Sequence, residues 1–592
     1  MNSRILLRWM VTVALAVMLA LPVSAQYGSR GDKRYRDRYS RADTYGDVVE
    51  IRLNNPGTLQ EKMPKGMEQR VRLLRVEGPM DNSDFKYVKK LCDRSRCVDN
   101  RDKSVDNYLD LELEHARIIS AGTRGLLGDG GQRDVLDNAL AYSSHLRSIV
   151  LPERLKRIGS NALTGCSRLE EVIMPPGVRS LGSSAFSGCS RLEYITLPEG
   201  LQEIGNECFE NCEKLRNITL PRSVTEIGDR AFKGSGVQHI VMPDGLLTLG
   251  RDAFENTPLV ELTIPATTQI ADNSLGYMSK MEEIIVDRGS RYYTCEDGAL
   301  YDHTGEVLLL YPAGRSGGCA IPDDVVAIGP RAFYGALVEE VLVPPSVTEV
   351  GESAFEKCAH LQHIDLPGVS TMGKCAFKYC SALASFTVGR DIQVIPQEAF
   401  EECKSLHEVR LPSMVTTIAM RAFKNCPKIA QVEFPIGLTE IGKEAFEGNK
   451  ALTAIDLPSA LKTIGERAFK NCRGLTHVAL PDGCQTVDKE AFRECTALAA
   501  IELGSGLTTL GDNALRETAI TSLVLPEGIN HIGKKVTEKC KELTRIECRA
   551  VLPPKLDGVS NNKVELRVPD TSVPAYKSAK NWKNFKNILP LE

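Results

Sequence analysis

The residues most capable of chemistry in this chain are its cysteines, and their spacing argues for packing instead. Ten of the eighteen, Cys166, Cys189, Cys212, Cys358, Cys380, Cys403, Cys426, Cys472, Cys495 and Cys540, recur at one position of a repeating phrase. A free cysteine behaves as a small hydrophobe that buries readily, so a column of them reads as core. Neighbours in a stack would come close enough to bridge. Their parallel side chains would have to distort the disulfide dihedral of about 90°, which favours buried thiols over a bonded ladder. Cys92 and Cys97 lie off this beat and suit a local disulfide; a zinc site fits less well, because no histidines cluster beside them.

Other candidates are weaker. Gly314-Arg-Ser316-Gly-Gly318 matches the serine-nucleophile pattern, which carries meaning only between a strand and a helix. Here it follows an apolar run and precedes a new repeat, and it reads as a turn. The nine histidines are scattered over successive repeats, and no pair with a carboxylate is fixed by spacing. His-Glu-x-x-His, phosphate-loop and dinucleotide signatures are missing. The expectation is a protein with no catalytic group, metal or cofactor. Arg30-Gly31-Asp32 is a tripeptide that many integrins recognise, but a stretch rich in Arg and Asp produces it by composition, and that reading is preferred. Asn217-Ile-Thr219 is a glycosylation sequon.

The elements that would position any site come from the repeat. From about Leu146 a phrase recurs nearly always at 23-residue intervals, marked by Phe186, Phe209, Phe232, Phe254, Phe333, Phe355, Phe377, Phe400, Phe423, Phe446, Phe469 and Phe492. Leu163 and Leu515 take the same place at the two ends. In Leu192-x-x-Ile195-x-Leu197 the last two apolar residues stand two apart, on one side of a short strand. Pro198 lacks an N–H and ends that strand, and Gly205 suits a tight bend. Ala185, Phe186, Cys189 and Leu192 have the offsets of a short helical face, so the return segment is expected to be helical or irregular. One such coil cannot bury its own apolar edge. Stacked coils can, with their strands in a parallel sheet.

The bulk properties agree. Hydrophobic residues make up 42% and charged residues 25%, the balance of a water-soluble protein with a real core. A formal net charge of -4 offers no electrostatic reason to expect nucleic acid. Arg4 and Arg8, the apolar run Met10 to Leu21 and Val23-Ser24-Ala25 have the order of a secretory signal peptide cleaved after Ala25. No later run approaches the roughly 20 apolar residues of a membrane span. Tyr27 to Arg41 is almost without aliphatic residues and reads as a flexible linker.

The phrase resembles the BspA-like, or treponemal-type, class of leucine-rich repeat protein. Leu192 to Cys212 follows that class's consensus with Cys208 replacing an alanine, and Leu452 to Cys472 follows it except at Ala460-Leu461. Asp297-Gly298-Ala299-Leu300-Tyr301 also resembles an interruption seen in the class. The resemblance spans about residues 70 to 590. It implies an α/β-type repeat solenoid, a leucine-rich repeat rod or horseshoe with a parallel concave sheet and capped ends. It further implies an exported or cell-surface protein that adheres to host matrix, mucin or other microbes.

The expected layout is a signal peptide (1–25), a linker (26–45), an N-terminal cap with irregular repeats (46–145), the solenoid (146–543) with a hairpin interruption near 286–320, and a C-terminal cap (544–592). Within that cap a helix is expected from Pro574 to Phe585, with Trp582 and Phe585 on the final coil. In such solenoids the concave sheet is the usual contact surface. Its outward positions give a candidate ligand-binding row: Tyr194, His239, His363, Asp365, Glu408, Arg410, Gln431, Glu433, Asp456 and His477. The expected function is an exported adhesin or recognition module whose partner is a protein or glycan on a host or microbial surface. The alternative is a structural or scaffold solenoid with no dedicated ligand site, and a hydrolase is the least favoured reading.

Overall fold

A computed structural model describes residues 48–93, 108–119, 135–271, 275–559 and 562–591. The chain divides into two compact units, Met1–Gly236 and Val237–Glu592. The signal-peptide pattern, Arg30-Gly31-Asp32 and Cys97 lie outside the described residues.

In the first unit the strands Val48–Arg52, Leu73–Met80, Leu109–Glu112, Leu146–Val150, Glu171–Ile173 and Tyr194–Ile195 form one parallel sheet in that order. The irregular N-terminal strands therefore continue the same ladder as the regular coils. The helix Asn82–Asp93 follows the second of these strands and buries Phe85, Val88 and Leu91. The buried Asp84 carboxylate accepts the N–H groups of Gly57, at 2.7 Å, and Leu59, at 2.9 Å, tying the preceding loop to the helix.

Each regular coil makes a second strand that the sequence reading took for a bend. Val135–Leu136, Arg157–Ile158, Ser180–Leu181, Glu203–Ile204 and Glu226–Ile227 pair in parallel, with Leu181 opposite Ile204 and Ile204 opposite Ile227. Gly205 follows that strand, and its role is close approach: a Cβ there would lie 2.8 Å from the Leu181 carbonyl oxygen of the preceding coil.

The return segment is not helical. Glu207 and Asn211, at φ 57° each, turn the chain into the left-handed region on either side of Phe209. The N–H groups of Glu207, Phe209 and Asn211 then all point to the next coil, donating to the carbonyls of Asp229, Ala231 and Lys233 at 2.7–2.8 Å. A helix would have spent those donors within the coil. The turn instead makes a third coil-to-coil ladder, so of the two expected forms of the return segment the irregular one is found, and the expected leucine-rich repeat solenoid with a parallel sheet has few helices.

The second unit repeats this plan. Its first strands include Gly317–Ala320, Val338–Leu342, His363–Leu366 and Ser385–Val388 in one parallel sheet, then the pairs Glu408–Arg410 with Gln431–Glu433 and His477–Ala479 with Ala500–Glu502. Its second strands run as one ladder from Val394–Ile395 to Lys555–Leu556. The interruption is an antiparallel meander of Tyr293–Glu296, Ala299–Asp302 and Val307–Leu310, whose last strand pairs in parallel with Ala327–Ile328.

Phenylalanine rings fill both interiors. Phe186 stacks on Phe209 at 5.4 Å in the first unit. In the second, the stack runs from Phe333 to Phe492 with centroid spacings of 4.7 to 5.4 Å, every ring fully buried. Tyr311 of the meander caps this stack against Phe333 at 4.8 Å. The ring spacing follows the inter-strand distance of about 4.8 Å, so offset stacking costs the backbone nothing.

The C-terminal helix is shorter than expected, Val573–Ser578, and a separate 3₁₀ turn holds Trp582–Asn584. Asn581, at φ 66°, breaks the path and sends its amide to the Leu556 carbonyl at 2.6 Å. The Trp582 indole N–H reaches the Pro554 carbonyl at 2.8 Å, and Phe585 stacks on the indole at 5.8 Å. Both rings are buried on the last coils, as expected.

Candidate functional site

All ten candidate residues are at least partly exposed; from His363 onward the strand residue between each outward pair is buried, whereas Ile195 and Ile240 in the earlier coils are half-buried. Val409, Val432 and Val478, for instance, are buried between Glu408 and Arg410, Gln431 and Glu433, and His477 and Ala479. The pleat puts alternate side chains on opposite faces, so the inward residues build the core and the outward ones form two columns. Tyr194, 52% exposed, belongs to the first unit, and the other nine belong to the second.

Within the second unit the structure joins several candidates. His363 lies opposite Ser385, and Asp365 opposite Thr387. The imidazole Nε2 is 3.0 Å from the Asp365 carboxylate, and Nδ1 is 2.7 Å from the Ser385 hydroxyl. The Thr387 hydroxyl donates to Asp365. That bond, with the imidazole, holds the Asp365 carboxyl below the usual carboxylate range. One coil on, Glu408 faces Gln431 and Arg410 faces Glu433. The Arg410 guanidinium binds Glu408 at 2.7 Å and lies 3.7 Å from Glu433. Asp456 bridges in parallel to Ala479, and His477 stands 4.0 Å from Glu502.

Sequence reasoning missed three members of the row. Ser385 and Thr387 were passed over because their coil carries Phe386 in place of isoleucine and Val388-Gly389 in place of the strand-ending Leu-Pro. Glu502 was passed over because its partner His477 is on a different coil. The expectation that no histidine–carboxylate pair is fixed by spacing is also corrected. His363 and Asp365 are two apart in a strand and therefore share a face, a signal that was present in the spacing.

Ser385, His363 and Asp365 form a hydrogen-bonded chain with the residue types of a nucleophilic triad. They lie on the open face of a sheet, where main-chain groups are committed to coil-to-coil ladders. Nothing described there aims a pair of donors at a developing oxyanion, the part of such a site that contributes most. Gly314-Arg-Ser316-Gly-Gly318 runs from a turn into the strand Gly317–Ala320, so the expected turn covers only its start, and it lacks the strand-to-helix setting of a serine nucleophile. Among the described residues no group of three or more His, Cys, Asp or Glu is placed to hold a metal ion. No described helix is long and apolar enough to cross a membrane. Two small clefts, of about 20 Å³ beside Tyr277, Tyr311 and Tyr334 and about 40 Å³ beside Trp582, include none of the candidate residues.

The ten in-phase cysteines are buried free thiols. Each Sγ donates to a main-chain carbonyl one coil earlier, Cys380 to Phe355 at 3.0 Å and Cys403 to Phe377 at 3.2 Å. Burial pushes such thiols up, the Cys472 thiol to about 12. Cys92 is buried as well.

The model of the BspA type leucine rich repeat region matches residues 134–260, 204–302, 318–430 and 416–544, more than half of the chain. No curated protein matches it. Among solved structures, a leucine-rich repeat protein from Eubacterium ventriosum is 20% identical, with a TM-score of 0.45 over 66% of this chain and 88% of that one. A leucine-rich repeat protein from Bacteroides ovatus is 23% identical, with a TM-score of 0.40 over 70% and 89%. A leucine rich cell surface protein from Faecalibacterium prausnitzii is 26% identical, with a TM-score of 0.39 over 60% and 79%. With its coils, its phenylalanine stack and the extent of the family match, the chain belongs to the BspA-type leucine-rich repeat family.

Proposed function

We propose that this protein is exported and recognises a macromolecule, a protein or glycan on a host or microbial surface, through the outward columns of its first strands. The observation that supports this reading best is the stretch from His363 to Glu502. Cationic, anionic, amide and hydroxyl side chains stand there side by side at the strand spacing of about 4.8 Å, over inward neighbours that are fully or nearly buried. A rigid sheet that presents varied polar groups has little to reorganise on binding, which lowers the cost of association. The N-terminal order of Arg4, Arg8, the apolar run and Val23-Ser24-Ala25 supports export.

The test is binding of the mature chain to immobilised mucin, matrix proteins and glycans. Arg410→Ala and Asp456→Ala are expected to weaken the ligand's affinity by about tenfold or more, with the melting temperature unchanged, as for a hot-spot residue. A scaffold solenoid is the second reading. It is favoured by the way Arg410 is satisfied within the row, by Glu408 and Glu433. Unchanged binding in these variants, together with lost assembly when coils are deleted, would establish the scaffold.

A further inference from the structure

In the second unit a basic strip lies between the turn ladder and the first strands, beside the outward columns. Lys404, Lys428, Lys450 and Arg473 fall on four successive coils, and all four are exposed. Each stands two or three residues past a turn-ladder amide, that of Glu402, Asn425, Gly448 or Asn471, which donates to the next coil at 2.8–2.9 Å. The cations therefore advance by one strand spacing, about 4.8 Å, per coil.

What sets them apart is the lack of carboxylates. The turn-ladder cations next to them are paired: Lys424 with Glu444 and Glu447, Arg467 with Glu490, Lys470 with Glu447. Residues 425–431, 448–454 and 471–477, which run from the turn ladder to the first strands, contain neither Asp nor Glu. Among the described residues Lys428 and Lys450 have no hydrogen-bond or ion-pair partner. Arg473 donates from Nε to the Asn471 amide oxygen at 2.7 Å, not to a carboxylate. Only Lys404, at the edge of the strip, approaches an acid, Glu402 at 3.8 Å. In the first unit the same place in the repeat holds Arg168, Arg191 and Lys214, but Glu170 and Glu193 accompany them, and Lys214 lies 3.5 Å from Glu193. A fold that elsewhere neutralises its cations from coil to coil leaves three in a row unpaired here.

We propose that this strip binds a sulfated or carboxylated glycan, laid across the coils with successive acidic rings against successive cations. The inference goes beyond the recognition reading by assigning a second surface and its ligand's charge. An extended pyranose chain advances by a distance close to one strand spacing per ring, so its anionic groups keep register with Lys428, Lys450 and Arg473. Each lysine supplies a point charge, and the planar guanidinium takes a sulfate through two parallel bonds. Gln431, Thr453 and Thr476, exposed between the cations, suit sugar hydroxyls. The three segments hold no aromatic ring on which a base could stack, and the chain's formal net charge is -4; both argue against nucleic acid.

The probe is a heparin hexasaccharide, titrated calorimetrically against the mature chain at low salt. Lys428→Gln/Lys450→Gln/Arg473→Gln is expected to bind it about tenfold or more weakly than wild type, with an equal melting temperature. A control, Lys462→Gln/Lys489→Gln/Lys534→Gln, removes the same charge from exposed positions beside the second strands Thr463–Ile464, Thr486–Val487 and His531–Ile532. It is expected to stay within about twofold of wild type, because a net-charge effect alone is weak and diffuse. In wild type the bound hexasaccharide is expected to shield Lys428 and Lys450 from acetylation, a readout that needs no variant. The proposal falls if the hexasaccharide does not bind, if both triple variants weaken it equally, or if Lys428 and Lys450 acetylate as fast with it as without. It falls as well if a single-stranded oligonucleotide of equal charge binds as tightly.

Discussion

The Sγ of Cys472 donates to the carbonyl oxygen of Phe446, one coil earlier, at 3.2 Å. The same contact joins Cys426 to Phe400 and Cys495 to Phe469. At the one coil of this run where the sequence has Asn449 instead, the amide Nδ2 donates to the Phe423 carbonyl at 3.1 Å. In this run the position holds a small buried donor, whose hydrogen a disulfide would remove. These thiols are expected to resist maleimide in the native protein, because burial raises them and the thiolate is the reactive form. Exposed Cys295 is expected to label promptly. Mass spectrometry of labelled peptides checks this, and prompt labelling of Cys472 would contradict it.

Glu444 sits in the turn ladder between cations of adjoining coils, with Arg421 and Lys424 at 2.7 Å each and Arg467 at 3.7 Å. The column alternates in sign from coil to coil: Glu398, Arg421, Glu444, Arg467, Glu490. Burial opposes ionisation, but the bonds from Arg421 and Lys424 outweigh it and hold the Glu444 carboxyl down to about 2. Glu398, bonded to Lys378, is held at about 2 as well. A carboxyl depressed in the folded state stabilises above its unfolded value and loses that contribution as pH falls through the folded one. Stability is therefore expected to decline from about pH 4.5 towards pH 2, by on the order of 2 kcal/mol for Glu444. Denaturant titration of Glu444→Gln is expected to show lower stability at neutral pH and a shallower loss in acid. An acid slope identical to wild type would contradict this assignment.

The phenylalanine stack ends in smaller residues, Leu515 and then Val536, and a cavity of about 40 Å³ opens beside Val536, Leu523, Ile546 and Trp582. Unfilled apolar space costs contacts that a larger side chain would recover. Val536→Leu is expected to raise stability by about 1 kcal/mol, read from the denaturant midpoint. A loss of similar size would mean that the cap cannot admit the added methylene.

Much of this architecture was legible because each position is repeated many times. The period, the buried phenylalanines, the thiol column and the outward row follow from single residues such as Phe423, Cys426 and Arg410 recurring in phase. The second strands were not legible. Glu440–Ile441 and Thr463–Ile464 are two residues long, and they exist as strands only because neighbouring coils pair with them. The return turn was legible only as helical or irregular, for a related reason. Apolar offsets of one, four and seven fit a helix, yet Arg421 and Asn425, at φ 57° and 55°, direct their amides outward to Lys443 and Glu447. Pairs such as His477 with Glu502 depend on inter-coil register, which a reading along one strand does not contain.

The central claim is that each coil is held by an interior shared with its two neighbours. Phe423 lies 5.3 Å from both Phe400 and Phe446, and Phe423→Ala should cost roughly 3 to 5 kcal/mol of local stability. Hydrogen exchange on this variant tests the claim most directly. Exchange is expected to accelerate at the turn-ladder amides of Phe400, residue 423 and Phe446, and to stay at the wild-type rate around Leu566 and Tyr576. Acceleration confined to the mutated coil, with Phe400 and Phe446 fully protected, would contradict a shared interior.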